Sequence, residues 1–441
     1  MKTEEQVGKW WTHNLTKPVV AAAGVRLAIL AFALARTGTS ALFNGDTSSY
    51  LVSGRNLLLH GCFIDASGLP EIFRTPGYPL FLALFNLAGP VAAALVQVVL
   101  SVFSVILVWR LALAVFADDR TALVAAWIFA FEPLSTTYSV ILLSDTLFLT
   151  LLLLSMERLV EFLQGRNLLV LAAAGLWLTA ATFVRPVTYY LPVAIALGLV
   201  LVLARVPGLR WKAPAVLLIS VLPWLAAWQI RNKVETGFSG FESVEAMNLY
   251  IYQAAEVTAR IERRPFDMVQ NEYVWHSMQG GLNQAQRAAL MHSEAVMILR
   301  AHPEVFFKNY LEGSIQLTFT PGIADLLGLL AFPDHHESLA SVHDVGPVHT
   351  GLRFIATYPR TAALMAIQEI VLLGMYLFAV RGVIRSGLRN ASLCLLLGVS
   401  IYFLAVSGGA QVMGRYRLPI MPVVCIFAAA GLRRGRVIAR A

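Results

Sequence analysis

The chain has 441 residues, enough for two or three soluble domains, yet 58% of it is apolar and only 14% is charged. A mean hydropathy of +0.68 belongs to a membrane protein and excludes an ordinary soluble enzyme. The formal net charge of +8 does not signal nucleic acid, because the arginines sit in short loops between apolar runs, where they act as orientation signals.

A crossing helix needs roughly 20 mainly apolar residues. Runs of that kind occur at 18–37, 90–116, 121–137, 139–161, 167–184, 187–205, 212–230, 359–380, 391–408 and 417–433. The expectation is an all-α polytopic membrane protein with about ten crossings and thirteen at most. The polar start MKTEEQVGKWWTHNLTK has no cleavage pattern behind it, so the first helix is read as retained. With both termini in the cytoplasm, the inner segments carry Lys2, Lys9 and Lys17, then Arg120, Arg166, Arg205, Arg210 and Lys212. The later ones carry Arg381, Arg385 and Arg389, and finally Arg433, Arg434, Arg436 and Arg440. That distribution obeys the positive-inside rule, and it suits the inner membrane of a bacterium. A further apolar stretch, 313–332, contains Thr318, Thr320, Pro321, Gly322 and Asp325 and is read as re-entrant or peripheral.

Three regions are expected: an N-terminal membrane module over 1–230, an outer region over 231–358, and C-terminal membrane helices over 359–441. The module includes a first outer loop, 38–89. The outer region carries helices at about 284–301 and 303–312, broken at Pro303.

The first outer loop opens with NGDTSSYLVSGRNLLLHG: a turn at Asn44-Gly45, an N-cap at Asp46, then an interfacial amphipathic helix ending at Gly61. It would turn Tyr50, Leu51, Leu57 and Leu58 to the bilayer. The plainest role for Asp46 is that of a cap; its company argues for more. Arg74, in RTPGYPLF with Tyr78, lies at headgroup depth, where a guanidinium snorkels or grips a phosphate with two hydrogen bonds. Asp145, in LLSDTLF, is a carboxylate near the outer end of an apolar helix, which makes it a functional candidate. Arg185, Arg231, Arg415 and Arg417 also fall where apolar runs meet the outer surface. Each could be an interfacial anchor beside Tyr189, Tyr190, Trp224, Trp228 and Tyr416. Together they oppose the positive-inside bias, and a bound lipid phosphate would explain them.

Cys62, Cys394 and Cys425 have no metal-ligand spacing and define no disulfide framework. His302, His335, His336, His343 and His349 lack the helical spacing of a zinc pair and read as polar loop. No cofactor is firmly implied, although Asp46 and Asp145 could share a divalent metal.

In this order, GDTSSYL, RTPGYPLF, LLSDTLF, FVRP, PWLAAWQIRN, AHPEVFFKNYLEG and GRYRLPIMP resemble the GT-C superfamily of integral-membrane glycosyltransferases. The nearest branch holds protein O-mannosyltransferases and lipid A aminoarabinose transferases. The resemblance implies transfer of a sugar from a polyprenyl-phosphate-linked donor to a lipid, glycan or protein hydroxyl, with inversion, on the outer side. It implies no nucleic-acid partner. It makes Asp46 and Asp145 the catalytic acids, with Asp46 as base. Arg74, Arg185, Arg415 and Arg417 would hold the donor phosphate, and Tyr50, Tyr78 and Arg231 would line the substrate cavity. Thr47 stands where the family often has a second acid. The competing reading is a lipid or sugar transporter, which would place its polar groups near the membrane midplane.

Overall fold

The computed structural model describes residues 4–330, 347–387, 390–410 and 413–433. Lys2, Arg389, Arg434, Arg436, Arg440, His335, His336 and His343 lie outside the described residues.

The protein is an all-α polytopic membrane protein. Among the described residues, five helical segments are long and apolar enough to cross a membrane, namely Asn14–Leu42, Pro90–Phe116, Pro207–Thr236, Pro359–Ser386 and Gly414–Leu432. Three shorter apolar helical segments, Leu168–Val184, Pro186–Val202 and Ala391–Val406, pack among them. The helices used below are α1 (Glu4–Thr37), α2 (Thr47–His60), α3 (Gly77–Ala83), α4 (Pro90–Phe116), α5 (Asp119–Ala130) and α6 (Pro133–Thr137). They continue with α7 (Asp145–Gly165), α8 (Leu168–Val184), α9 (Leu191–Val202), α10 (Pro207–Arg210), α11 (Lys212–Thr236) and α12 (Val244–Met247).

Helix ends follow local chemistry. Pro90 opens α4 directly after Gly89, whose φ is 83°. The Asp118 side chain caps α5 by accepting from the Thr121 amide, and Asn167 caps α8 through the Leu169 amide. The apolar run expected at 121–137 is split, because Phe131 ends α5 and Glu132 caps α6 by accepting from the amides of Leu134 and Ser135. The run expected from 139 starts late. Residues 138–144 form turns, and α7 begins at Asp145. Asp145 therefore occupies a first helical turn, where the unpaired amides favour a carboxylate, rather than a helix interior.

The core forms where α4 packs against α1, α5 and α7. Ser104 and Thr150 share a 3.0 Å hydrogen bond between α4 and α7. Arg26, fully buried on α1, ties three elements together: Nε donates to Ser101 Oγ at 2.8 Å, and the terminal nitrogens donate to Ala130 O at 2.8 Å and Ser135 Oγ at 3.1 Å. A buried arginine in an apolar helix is tolerated only with such partners. The helices Pro359–Ser386 and Met421–Leu432 approach closely at Gly382 and Gly431. A Cβ on either glycine would meet a backbone carbonyl of the other helix at 2.0 Å or less.

Beyond α11 lies a polar set of helices. It includes a π-helical turn at Asn248–Ala254 and the helices Ala255–Glu262, Phe266–Ser277, Gln284–Ala301 and Pro303–Phe319. Thr320-Pro321-Gly322 interrupts the stretch read as re-entrant, and the following helix, Ile323–Leu329, has seven residues, too few to cross a bilayer.

Candidate functional site

Asp46 sits at the N-cap of α2, but its side chain makes no capping hydrogen bond. The turn before it is held by other groups. The Asn44 amide donates to Thr47 Oγ1 at 2.8 Å, and that hydroxyl donates to Leu142 O at 3.0 Å. Thr47, where a second acid was expected on family grounds, is fully buried and fastens the loop to the segment leading into α7. The Asp46 carboxylate is thereby free for two arginines. Oδ1 accepts from Arg74 at 2.8 Å, and Oδ2 accepts from Arg415 at 3.0 Å.

Arg74 is held at every nitrogen. Nε donates to Ser49 Oγ at 3.0 Å, one terminal nitrogen donates to Tyr50 Oη at 3.2 Å, and the other binds Asp46. Its guanidinium lies 4.4 Å from the Tyr50 ring centroid. The backbone beneath is fixed by the Glu71 carboxylate, which accepts from the Phe73 and Arg74 amides and from Ser53 Oγ. Gly77 brings this loop against the end of α8, where a Cβ would come within 2.7 Å of the Phe183 carbonyl.

Arg185 follows α8 in extended conformation, as the residue before Pro186 must be, and forms an ion pair with Asp145, which is 2% exposed. Arg415 enters on the short 3₁₀ segment Gly414–Ile420, and its Nε is buried with no hydrogen-bond partner among the described residues. Burial opposes the charge on Asp46, but Arg74 and Arg415 overcome it and hold that carboxyl below its ordinary range.

Asp46, Tyr50, Arg74, Asp145, Arg185 and Arg415 all line one cavity of about 650 Å³, a size that suits a small ligand. Six residues expected to share a site are thus brought together from five separate parts of the chain. Tyr189, Tyr190, Val187, Tyr402 and Phe403 add an aromatic and apolar lining to the charged one.

Three expected residues are elsewhere. Tyr78 is fully buried in the core, and its hydroxyl donates to Gln97 Oε1 at 2.6 Å. Arg231 stays outside the cavity lining because the loop carbonyls and a helical neighbour claim its guanidinium. It donates to Glu71 O at 2.7 Å and Phe63 O at 2.9 Å, and it pairs with Glu235 at 2.7 Å, so it anchors the first loop. Arg417 is 1% exposed and donates to the carbonyls of Leu317 and Thr318 at 3.2 and 2.8 Å. Those orphan carbonyls precede the break at Thr320 and capture the guanidinium. Tyr50, expected to face lipid, is 8% exposed and packs edge-on against Tyr78.

We expect Arg417→Leu to weaken the fold by about 2–4 kcal/mol, since it strips a buried charged donor from two carbonyls. A lowered thermal midpoint of the purified protein, with ligand affinity unchanged in the folded fraction, is the result to look for. A selective loss of ligand affinity would place Arg417 at the site instead.

Residues that the sequence did not single out complete the cavity. Glu242 follows α11, while Asn248, Tyr252 and Gln253 come from the π-helical turn. No motif marks them, because carboxylates and amides are ordinary in a polar outer region. Asp46 and Asp145, which could have shared a metal, are each paired with arginine. Among the described residues no group of three or more His, Cys, Asp or Glu side chains is placed to hold a metal ion.

Residues 75–228 match the family of dolichyl-phosphate-mannose-protein mannosyltransferases. No curated protein matches the sequence. Among solved structures, the chain is similar in fold to the archaeal oligosaccharyltransferase AglB from Archaeoglobus fulgidus, determined with an inhibitory peptide and a dolichol-phosphate. The TM-score is 0.50 at 14% identity, and the match covers 96% of this chain and 50% of that one. The chain thus spans about half the length of AglB. ArnT from Cupriavidus metallidurans in the apo state matches with a TM-score of 0.41 at 13% identity, over 95% of this chain and 78% of that one. The likeness to integral-membrane glycosyltransferases read from the sequence therefore holds, over 75–228 as a family match and over the whole chain as a fold.

Proposed function

We propose that the protein transfers a sugar from a polyprenyl-phosphate-linked donor to a hydroxyl of a lipid, glycan or protein acceptor, with inversion at the anomeric carbon. The observation that carries this reading is the charge of the cavity. Arg74, Arg185 and Arg415 line it beside Asp46 and Asp145, a cluster of three guanidinium groups suited to the negative charge of a glycosyl phosphodiester.

The chemistry suits these groups. The acceptor hydroxyl must lose a proton as it attacks, and Asp46 takes it. The departing phosphate gains negative charge, and Arg74, Arg185 and Arg415 stabilise it without proton transfer. Asp145, through Arg185, orients that side of the site. The aromatic lining offers a surface for the first isoprene units of the lipid.

The distribution of the other cations supports an outward-facing cavity. The cavity takes residues from the C-terminal parts of α8 and α11 and from the N-terminal end of α7. Arg166, Arg205 and Arg210 lie at or beyond the opposite ends of these helices. The positive-inside rule favours that opposite end as the cytoplasmic one.

The test is transfer itself. Purified protein, given a panel of radiolabelled polyprenyl-phosphate sugars and total membrane lipid as acceptor, is expected to move label from at least one donor into product. Label crossing a vesicle bilayer on intact donor, with no product formed, would favour a transporter.

A further inference from the structure

Glu242 is a carboxylate that the chemistry above leaves without a task. It lines the same cavity, and the chain on both sides of it is strapped down. Asn232 Nδ2 donates to the carbonyls of Gly240 and Phe241, both at 3.0 Å, and Trp228 Nε1 donates to Phe241 O at 3.0 Å. The Ser243 amide donates to Ile72 O at 2.8 Å, in the loop that carries Arg74. Two rigid elements, α11 and the first loop, therefore fix the position of Glu242, as a ligand-binding group requires. Asp46 and Asp145 are paired with arginine, whereas Glu242 has no hydrogen-bond or ion-pair partner among the described residues. It still lies close enough to Arg74 and Arg185 to feel their charge.

We propose that Glu242 stays a neutral carboxylic acid in the working protein and donates its O–H hydrogen bond to the donor's phosphodiester, beside Arg74 and Arg185. This rests on the transfer reading above and adds a ligand group to it. An ionised Glu242 would add a carboxylate to Asp46, Asp145 and Glu245 in the same cavity, and a phosphodiester arriving there would meet a like charge in a partly desolvated pocket. A protonated Glu242 adds no negative charge and supplies a donor instead. The proton stays on Glu242 throughout; no bond is made or broken to it.

Burial, opposed by Arg74 and Arg185 and reinforced by Glu245, pushes the Glu242 carboxyl up to about 8. The other charged and titratable groups facing it are the arginine-paired Asp46 and Asp145, Arg415, and the exposed Glu245 on α12; burial pushes the Tyr252 hydroxyl above its ordinary 10.0. A group raised in this way holds its proton below the shifted value and loses it above.

The test is equilibrium binding of a polyprenyl phosphate methyl diester, whose single charge does not titrate in the range used. It compares the detergent-purified full chain with Glu242→Gln and Glu242→Ala from pH 6.5 to 9.5. Wild-type affinity is expected to fall about tenfold between pH 7 and 9, the change that a group titrating near 8 gives. Glu242→Gln, which keeps a donor and cannot ionise, should bind at pH 7 as the wild type does and hold that affinity at pH 9. Glu242→Ala should bind more weakly than either at pH 7, with no pH dependence. A flat wild-type profile, or a Gln variant that keeps the wild-type fall, overturns the role of Glu242 while leaving the transferase reading standing. No binding of the diester by the wild type at any pH removes the transferase reading, and this inference with it.

Discussion

Asp46→Asn is expected to lower the rate of transfer by about 10³-fold while leaving expression, detergent extraction and elution volume unchanged. The magnitude is that of a lost general base. The substitution keeps the shape and one acceptor oxygen, so the loop remains tied through Thr47 to Leu142. What goes is the charge that binds Arg74 and Arg415, and with it the carboxylate proposed to receive the acceptor's proton. Single-turnover transfer by purified protein is the measurement, and a variant retaining even a tenth of the rate would rule out Asp46 as the base. The pH profile gives an independent check. A base works while ionised, and Asp46 is ionised above a value held below the ordinary carboxylate range by its two arginines. The wild-type rate should therefore show no acid-side decline down to about pH 5, since ordinary Asp titrates at about 3.9 and Asp46 lower still.

Arg415→Ala is expected to cost about 10²–10³-fold in kcat, the scale found when one donor to a developing anion is removed. Arg415→Lys should recover part of it. A lysine restores the charge, but it cannot bind Asp46 and also present a second nitrogen to the ligand. Equal effects from Arg415→Ala and Arg417→Leu on transfer, measured at matched amounts of folded protein, would contradict the division of roles between these neighbours.

That division shows where the sequence could be read and where it could not. Long apolar runs are decided by composition, so the five helices long enough to cross could be placed, and Pro90 and Pro359 even mark the residues where two of them begin. The charged lining was partly legible for a related reason. Arginines clustered where apolar runs end need a counter-charge, and Arg74, Arg185 and Arg415 found Asp46 and Asp145. The same argument fails for Arg417 and Arg231, because a chain of orphan carbonyls attracts a guanidinium as well as a carboxylate does. Sequence records neither the break at Thr320 nor the carbonyls of Phe63 and Glu71 that capture them. Tyr78 misled in another way: one hydroxyl bonded to Gln97 lets a tyrosine sit in the core. Glu242 could not be found at all, since what distinguishes it is the strap of Asn232, Trp228 and Ser243 around an otherwise ordinary polar turn.

The bond between Asp46 and Arg415 spans 369 residues of sequence. During synthesis Asp46 leaves the ribosome behind the first apolar helix, and Arg415 leaves just ahead of the helix Met421–Leu432. The Asp46 carboxylate therefore has both arginine partners only after the chain has been made as far as Arg415, so the charge of the cavity is set by segments made far apart in time.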